Sequence, residues 1–365
     1  MLLYALEIFY AGCLMLLVRQ TDNRVWKSLF FFFLFLVLFV TVGFRESHVG
    51  GDTSTYVSLY HDLRNVTISW TDFFSSRFEP GYLWLNQILY QINSHYSLLL
   101  SVFAFLTLAP FMAVIYRESE DAYLSFLIFY GLIFRLTMAS IRSALAMALV
   151  AVAYSFLKRN RWLLAALFIF LASSFHLSAL FMAFMLLAKW DFKPWFKGFL
   201  IGIALFLFLG LDKLLQGILG VSKYVYYLQS DLGGSWVEAS AKLSVILQCL
   251  IFLLVYVFGR FILRKVVLTS QERFLDQLVF LGLLLSFVNI GSSLVSRLTY
   301  FFFFFLVLYL PMVISHLSSR RSQLWASLGV AAFFVTYLFS ILILRPEWTR
   351  ISDYSNVLWT SLLGG

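Results

Sequence analysis

The sequence predicts an all-α, polytopic integral membrane protein with about twelve transmembrane helices, some of them half-length. Three observations carry this. Of 365 residues, 62% are hydrophobic and only 12% charged, which leaves no polar exterior for a water-soluble domain of this size. Apolar runs near the roughly 20 residues that a bilayer span requires recur from one end of the chain to the other. The basic residues fall between those runs, in short clusters, as they do in the loops of membrane proteins.

Taken in order, the first apolar run extends from Leu2 to Val18. No basic segment precedes it, and Arg19, Arg24 and Lys27 follow at once in place of a small-residue cleavage site. It reads as a retained first span. Cys13 and Cys249 both sit inside apolar runs, so neither a disulfide framework nor a metal site is expected. The 42 phenylalanines include the runs Phe30 to Phe33 and Phe301 to Phe305. They read as lipid-facing surface rather than as a cofactor box. A net charge of +9 would suit nucleic acid if it were concentrated, but it is dispersed among short loops. Membrane orientation explains it better, and no nucleic-acid partner is expected.

Placing Arg19 to Lys27 on the cytoplasmic side puts four more basic segments there by alternation: Lys158 to Arg161, Lys189 to Lys197, Arg260 to Arg273 and Arg320-Arg321. That assignment is self-consistent under the positive-inside rule and leaves both termini outside. Two places strain the count. The stretch Trp162 to Ala188 must cross and return, yet it is too short for two full spans of roughly 20 residues each. It is expected to be a pair of half-length helices turning near Ser173-Ser174-Phe175-His176, with the turn enclosed by protein. The span starting at Gly198 is also short, and Gly198-x-x-x-Gly202 suggests close helix packing.

The chain is expected to be one membrane domain, 1–365, carrying two structured outer loops at 45–95 and 211–242. In the first loop, Gly50-Gly51-Asp52-Thr53 is a turn leading into a short helix with Asp52 or Thr53 as its N-cap and Tyr56 and Tyr60 one turn apart. A second helix opens at Glu79-Pro80-Gly81-Tyr82, because proline suits the first helical position. It would carry Tyr82, Asn86 and Tyr90 on one face. The second loop holds Lys223-Tyr224-Val225-Tyr226-Tyr227. Rings at this level form an interfacial belt in many membrane proteins. Interleaved with Asp, Asn, Glu and Arg, they equally suit stacking and hydrogen bonding to sugars.

Arg135, Arg142, His176 and Arg297 fall in or beside apolar stretches, and the orientation puts all four toward the outer half. An ionisable group there costs roughly 2.5–3.5 kcal/mol on insertion scales, so it faces a cavity or a partner. Each arginine alone could snorkel to the interface. As a set they point to an anion site, because guanidinium forks match phosphate oxygens and keep their charge when buried. Arg135 and Arg142 share a face if their helix is continuous, and share a mouth if a turn divides them. Ser140, Ala144 and Ala148 form a small-residue stripe behind Arg142. His176 alone fits a structural role as well as a functional one, and its place at a helix break favours function. No Walker loop, His-Glu-x-x-His, Gly-x-Ser-x-Gly or outer Asp-x-Asp pair is present, which disfavours nucleotide-driven and metal-driven chemistry.

These residues resemble the EpsG/Wzy-like polymerases of bacterial exopolysaccharide and O-antigen. The resemblance rests on an ordered set: Phe44-Arg45, Gly51-Asp52-Thr53-x-x-Tyr56, Glu79-Pro80-Gly81-Tyr82-x-x-Leu85-Asn86, Ile141-Arg142 with Ala146, Phe175-His176-x-Ser178-Ala179, Tyr224-x-x-Tyr227, and Arg297-Leu298-x-Tyr300-Phe301. One departure is Ala139 and Ser143, where the family often has Asn and Gln. The resemblance implies a GT-C-like, metal-independent and cofactor-free glycosyltransferase of the bacterial inner membrane with a periplasmic site. Its substrates would be undecaprenyl-pyrophosphate-linked oligosaccharides as donor and acceptor, its surroundings membrane lipid, and a chain-length regulator its partner by analogy. On this reading Arg142, Arg135 and Arg297, with Arg45, hold pyrophosphate. Asp52, Glu79 and His176 compete for the role of general base, and Tyr56, Tyr82, Asn86 and Tyr224 contact glycan or shape its groove. A lipid-linked polysaccharide ligase would need the same cations. A flippase or transporter of a lipid-linked glycan would show an internal repeat, and none is evident. A non-enzymatic scaffold would leave the arginines unexplained.

Overall fold

Long apolar runs with no water to satisfy their backbone become helices, since a helix closes its hydrogen bonds within itself. The computed structural model describes residues 1–19, 23–62, 78–219, 235–292 and 295–363. Among these residues, nine helices are long and apolar enough to cross a membrane. Three shorter ones, Leu2–Met15, Trp162–Ser173 and Leu177–Lys189, bring the number to the expected twelve. The chain is a multi-pass membrane protein.

Two compact units are formed: Met1–Leu180 with Arg320–Gly365, and Phe181–Ser319. In the first, α1 (Leu2–Arg19) and α2 (Arg24–Gly43) lead to two short helices, α3 (Thr53–Asp62) and α4 (Pro80–Ile92). Three spans follow: α5 (Tyr96–Glu118), α6 (Ala122–Ala139) and α7 (Ile141–Lys158). Within its most apolar stretch α6 is 83% buried and α7 67%, against 33% for α2, so α6 and α7 are the centre of this unit. Ala144 and Ala148 have no exposed surface, as expected of small residues that let helices approach. A π-turn over Tyr130–Phe134 interrupts α6, and at Gly131 an added Cβ would lie 2.7 Å from the Phe334 carbonyl carbon. The last span, α13 (Arg320–Leu344), therefore packs directly on that backbone. Ser140, at φ −143° and ψ 74°, separates α6 from α7. The turn thus divides Arg135 from Arg142.

The half-length pair is present. Helix α8 (Trp162–Ser173) ends at Ser174-Phe175-His176, and a 3₁₀ helix runs over Leu177–Lys189. Both serine hydroxyls turn back, Ser173 to the Phe170 carbonyl at 2.6 Å and Ser174 to the Leu171 carbonyl at 2.7 Å. Gly81 N–H donates to the Ser174 carbonyl at 2.8 Å. Protein, not lipid, thus satisfies the open backbone. A Cβ on Gly81 would sit 2.8 Å from that carbonyl oxygen. Gly81→Ala should therefore cost about 1–3 kcal/mol of stability, seen as a lower melting midpoint in detergent. Gly12→Ala, where a Cβ meets nothing within 4 Å, should not lower it.

The second unit holds α9 (Pro194–Leu219), α10 (Ser235–Leu263), α11 (Ser270–Gly291) and α12 (Ser296–Ser315). Helix α9 begins before Gly198 and continues through Leu219, so part of the expected second loop is helical. The loop's last residues, from Ser235, belong to α10, and the stretch 220–234, including Tyr224, lies outside the described residues. Phe301–Phe305 are each at most 2% exposed, which corrects their reading as lipid-facing. The cause is placement: α12 packs on both α10 and α11, and a helix apolar all round belongs in an interior. Phe252 stacks on Phe303 with centroids 5.7 Å apart. The Gly198 and Gly202 positions face open space, which removes the close-packing expectation there.

Candidate functional site

The site is assembled in the first unit from α3, α4, the start of α7 and the break after α8. The turn before α3 requires glycine: Gly50 sits at φ +105°, where a side chain would be strained. That turn brings the Asp52 N–H to the Ala139 carbonyl at 3.2 Å, beside the Ser140 break. Asp52 Oδ2 then accepts from Ser140 Oγ at 3.2 Å and from Tyr56 Oη at 3.4 Å. Asp52 itself is exposed. Its carboxylate bridges two elements, and among the described residues no cation pairs with it.

Arg142 is the second residue of α7. Its guanidinium forms an ion pair with Glu79 and is surrounded by the rings of Phe78, Tyr82 and Tyr56 at 4.8, 5.4 and 5.8 Å. Ring faces attract a cation in this range. Glu79 is the residue before Pro80 at the head of α4 and does not cap that helix with its side chain. Instead its Oε1 accepts from the Leu177 N–H at 3.2 Å and lies 3.3 Å from His176 Nδ1. Burial pushes the Glu79 carboxyl upward, but the His176 hydrogen bond and the Arg142 charge outweigh it and hold the group below the usual carboxylate range. Glu79 thus ties the start of α7 to the break between the half-length helices.

Tyr56 is 3% exposed, and Tyr82 and Asn86 have no exposed surface. Burial raises the Tyr56 phenol to about 12, with Arg142 opposing the rise, and also raises Tyr82. Both are neutral at physiological pH. Asn86 Nδ2 donates to the Tyr82 carbonyl at 2.7 Å, so it braces its own helix.

Arg45 takes a different place from the pyrophosphate ligand expected of it. It is fully buried and donates to the carbonyls of Val42, Val49 (3.1 Å) and Met138 (3.1 Å) and to Thr53 Oγ1 (3.4 Å). Burial lowers its guanidinium to about 10, still charged at neutral pH. Arg45 clamps the α2 terminus, the Gly50 turn and the end of α6 together. Arg135, just after the π-turn, is 5% exposed, and its Nε has no hydrogen-bond partner among the described residues. Arg297 lies in the first turn of α12, in the second unit, and is exposed.

Asp52, Tyr56, Glu79, Tyr82, Arg142 and His176 are therefore one connected cluster. Two further residues touch it, Phe78 at Arg142 and Ser140 at Asp52, and neither is a site residue on the sequence reading. Phe78 adjoins the Glu-Pro-Gly motif, and Ser140 reads there only as a small residue in a stripe.

The arrangement offers a cation held by a carboxylate and buried rings, with an accessible second carboxylate beside it, groups able to meet an anion and to accept a proton. No curated protein and no solved structure matches the chain. A family model does match, over residues 28–356, a span that includes every residue of the cluster. The chain belongs to the EpsG family, whose general activity is that of a polysaccharide polymerase.

Proposed function

We propose that the chain joins oligosaccharide repeat units carried on undecaprenyl pyrophosphate into O-antigen or exopolysaccharide, on the periplasmic side of the bacterial inner membrane. The observation that carries this reading is the Arg142 cluster: a guanidinium caged by three rings and held by Glu79, with Asp52 exposed beside it. A lipid-pyrophosphate donor is already activated, so the reaction needs no nucleotide. The acceptor hydroxyl oxygen forms a bond to the anomeric carbon, the bond from that carbon to pyrophosphate breaks, and undecaprenyl pyrophosphate leaves as an anion. Asp52 takes the hydroxyl proton. Arg142, with Arg135, neutralises pyrophosphate charge, because fixed cations in a water-poor site stabilise charge as it develops. Glu79 and His176 are positioning residues that keep Arg142 aimed, and the buried rings of Tyr56 and Tyr82 hold its guanidinium in place.

The test uses purified protein in nanodiscs, the lipid-linked repeat unit of its own host, EDTA and no added nucleotide. The expected product is a ladder of increasing glycan length on a gel. Folded protein that gives no ladder, yet moves glycan onto a lipid A core acceptor or across a liposome membrane, would replace this reading with a ligase or a flippase.

A further inference from the structure

The polymerase reading leaves unexplained a charged cavity in the second unit, where the starts of α9 and α11 meet the end of α10. It encloses about 180 Å³, more than ten times the roughly 15 Å³ that one water needs. Lys197, Arg260 and Arg273 line it together with Asp191, Asp276 and Gln277. Asp276 is buried and accepts from Tyr309 Oη at 2.8 Å. Its other oxygen lies 3.9 Å from both Lys197 Nζ and an Arg260 terminal nitrogen, which is beyond hydrogen-bond length. Both cations therefore keep donors for another acceptor. Arg273 pairs with Asp191 at 2.8 Å in an exposed contact that a better-placed anion can displace. Three cations against two carboxylates favour a singly charged anion over a doubly charged one.

The surroundings identify the kind of anion. Val266 and Leu268 add apolar lining, and Val267 between them is 96% exposed. Trp190, Trp195 and Phe261, chain neighbours of Asp191, Lys197 and Arg260, are 68–70% exposed. Exposed tryptophans of this kind sit at headgroup level. The basic segments that form the cavity are those assigned to the cytoplasmic side by the positive-inside rule.

We propose that this cavity binds the phosphodiester headgroup of an anionic glycerophospholipid in the cytoplasmic leaflet. The arginine forks and the lysine point charge suit a singly charged phosphodiester. The apolar rim takes the glycerol end, and the exposed rings lie against the acyl chains.

The experiment titrates the delipidated full chain in detergent with fluorescent phosphatidylglycerol and, in parallel, fluorescent phosphatidylcholine. Arg260→Gln/Arg273→Gln should weaken phosphatidylglycerol binding about 10- to 30-fold. Arg320→Gln/Arg321→Gln, which removes equal charge from another basic segment, should leave binding unchanged, and millimolar inorganic phosphate should not compete. Lys197→Gln gives a second variant, expected to weaken binding in the same direction, should the double variant fail to fold. Equal loss in both double variants would reduce the effect to general surface charge and overturn the proposal. No loss in the folded cavity variants, or displacement of lipid by inorganic phosphate, would also overturn it. The polymer ladder is scored separately, so failure here leaves the polymerase reading standing, and the reverse holds.

Discussion

Arg142→Ala should lower polymer formation about 10²- to 10³-fold, the loss that follows removal of one preorganised charge-stabilising donor. The size follows from how Arg142 is held. Its guanidinium is partly buried, paired with Glu79 and enclosed by Phe78, Tyr82 and Tyr56, so water cannot easily supply the missing charge. The substitution also leaves the Glu79 carboxylate without its main cation, and an orphaned carboxylate lowers stability in its own right. Two further variants separate the two effects. Arg142→Ala/Glu79→Gln removes the orphaned charge and should recover the melting midpoint without recovering activity. Arg142→Lys keeps a cation but loses the planar fork, and should retain part of the activity. Normal polymer length and yield from Arg142→Ala protein, at equal amounts in the membrane, would remove Arg142 from the pyrophosphate site.

Much of this cluster was legible in the sequence because its members are costly to place. An arginine beside an apolar run needs a partner, so Arg142 stood out. A run too short for two spans needs a break, so Ser173 to His176 marked where half-length helices turn. Proline at a helix start located Glu79 at the head of α4. What was not legible depends on which neighbour each side chain meets. Arg45 has the same composition and setting as Arg142, yet four acceptors from α2, the Gly50 turn, α3 and α6 close around it, and no local pattern encodes that convergence. Asp52 has the spacing of an N-cap, but the adjacent Ser140 break gives it a hydroxyl from another helix. Phe301–Phe305 have the composition of lipid-facing residues, and only packing against α10 and α11 buries them. Apolar residues serve equally against lipid and against protein, so hydropathy finds the spans without saying which of them is central.

Asp52→Asn should cost about 10²- to 10⁴-fold in turnover while leaving binding of the lipid-linked repeat unit near normal, as expected when a general base is removed. Three carboxylate or imidazole groups lie in the cluster, and their surroundings sort them. Glu79 is engaged on both oxygens, by Arg142 on one and by His176 and the Leu177 N–H on the other. Its carboxyl is held below the usual range, which makes it a weak proton acceptor. The sign of that shift adds a second expectation. A depressed carboxyl stabilises the fold at neutral pH, and that contribution is lost only as pH falls through the depressed value. Glu79→Gln should therefore lower the melting midpoint at neutral pH and narrow its gap to the native chain in acid. His176, 4% exposed, faces Glu79, and His176→Ala should act through the aim of Arg142, weakening substrate binding together with turnover. Asp52 alone of the three is exposed to solvent, and the hydroxyls of Ser140 and Tyr56 orient it. Asparagine keeps an acceptor oxygen for both and should preserve the fold. Full turnover in Asp52→Asn, with a selective loss in Glu79→Gln or His176→Ala, would move the base to that residue. Full turnover in all three would mean that the substrate provides its own base.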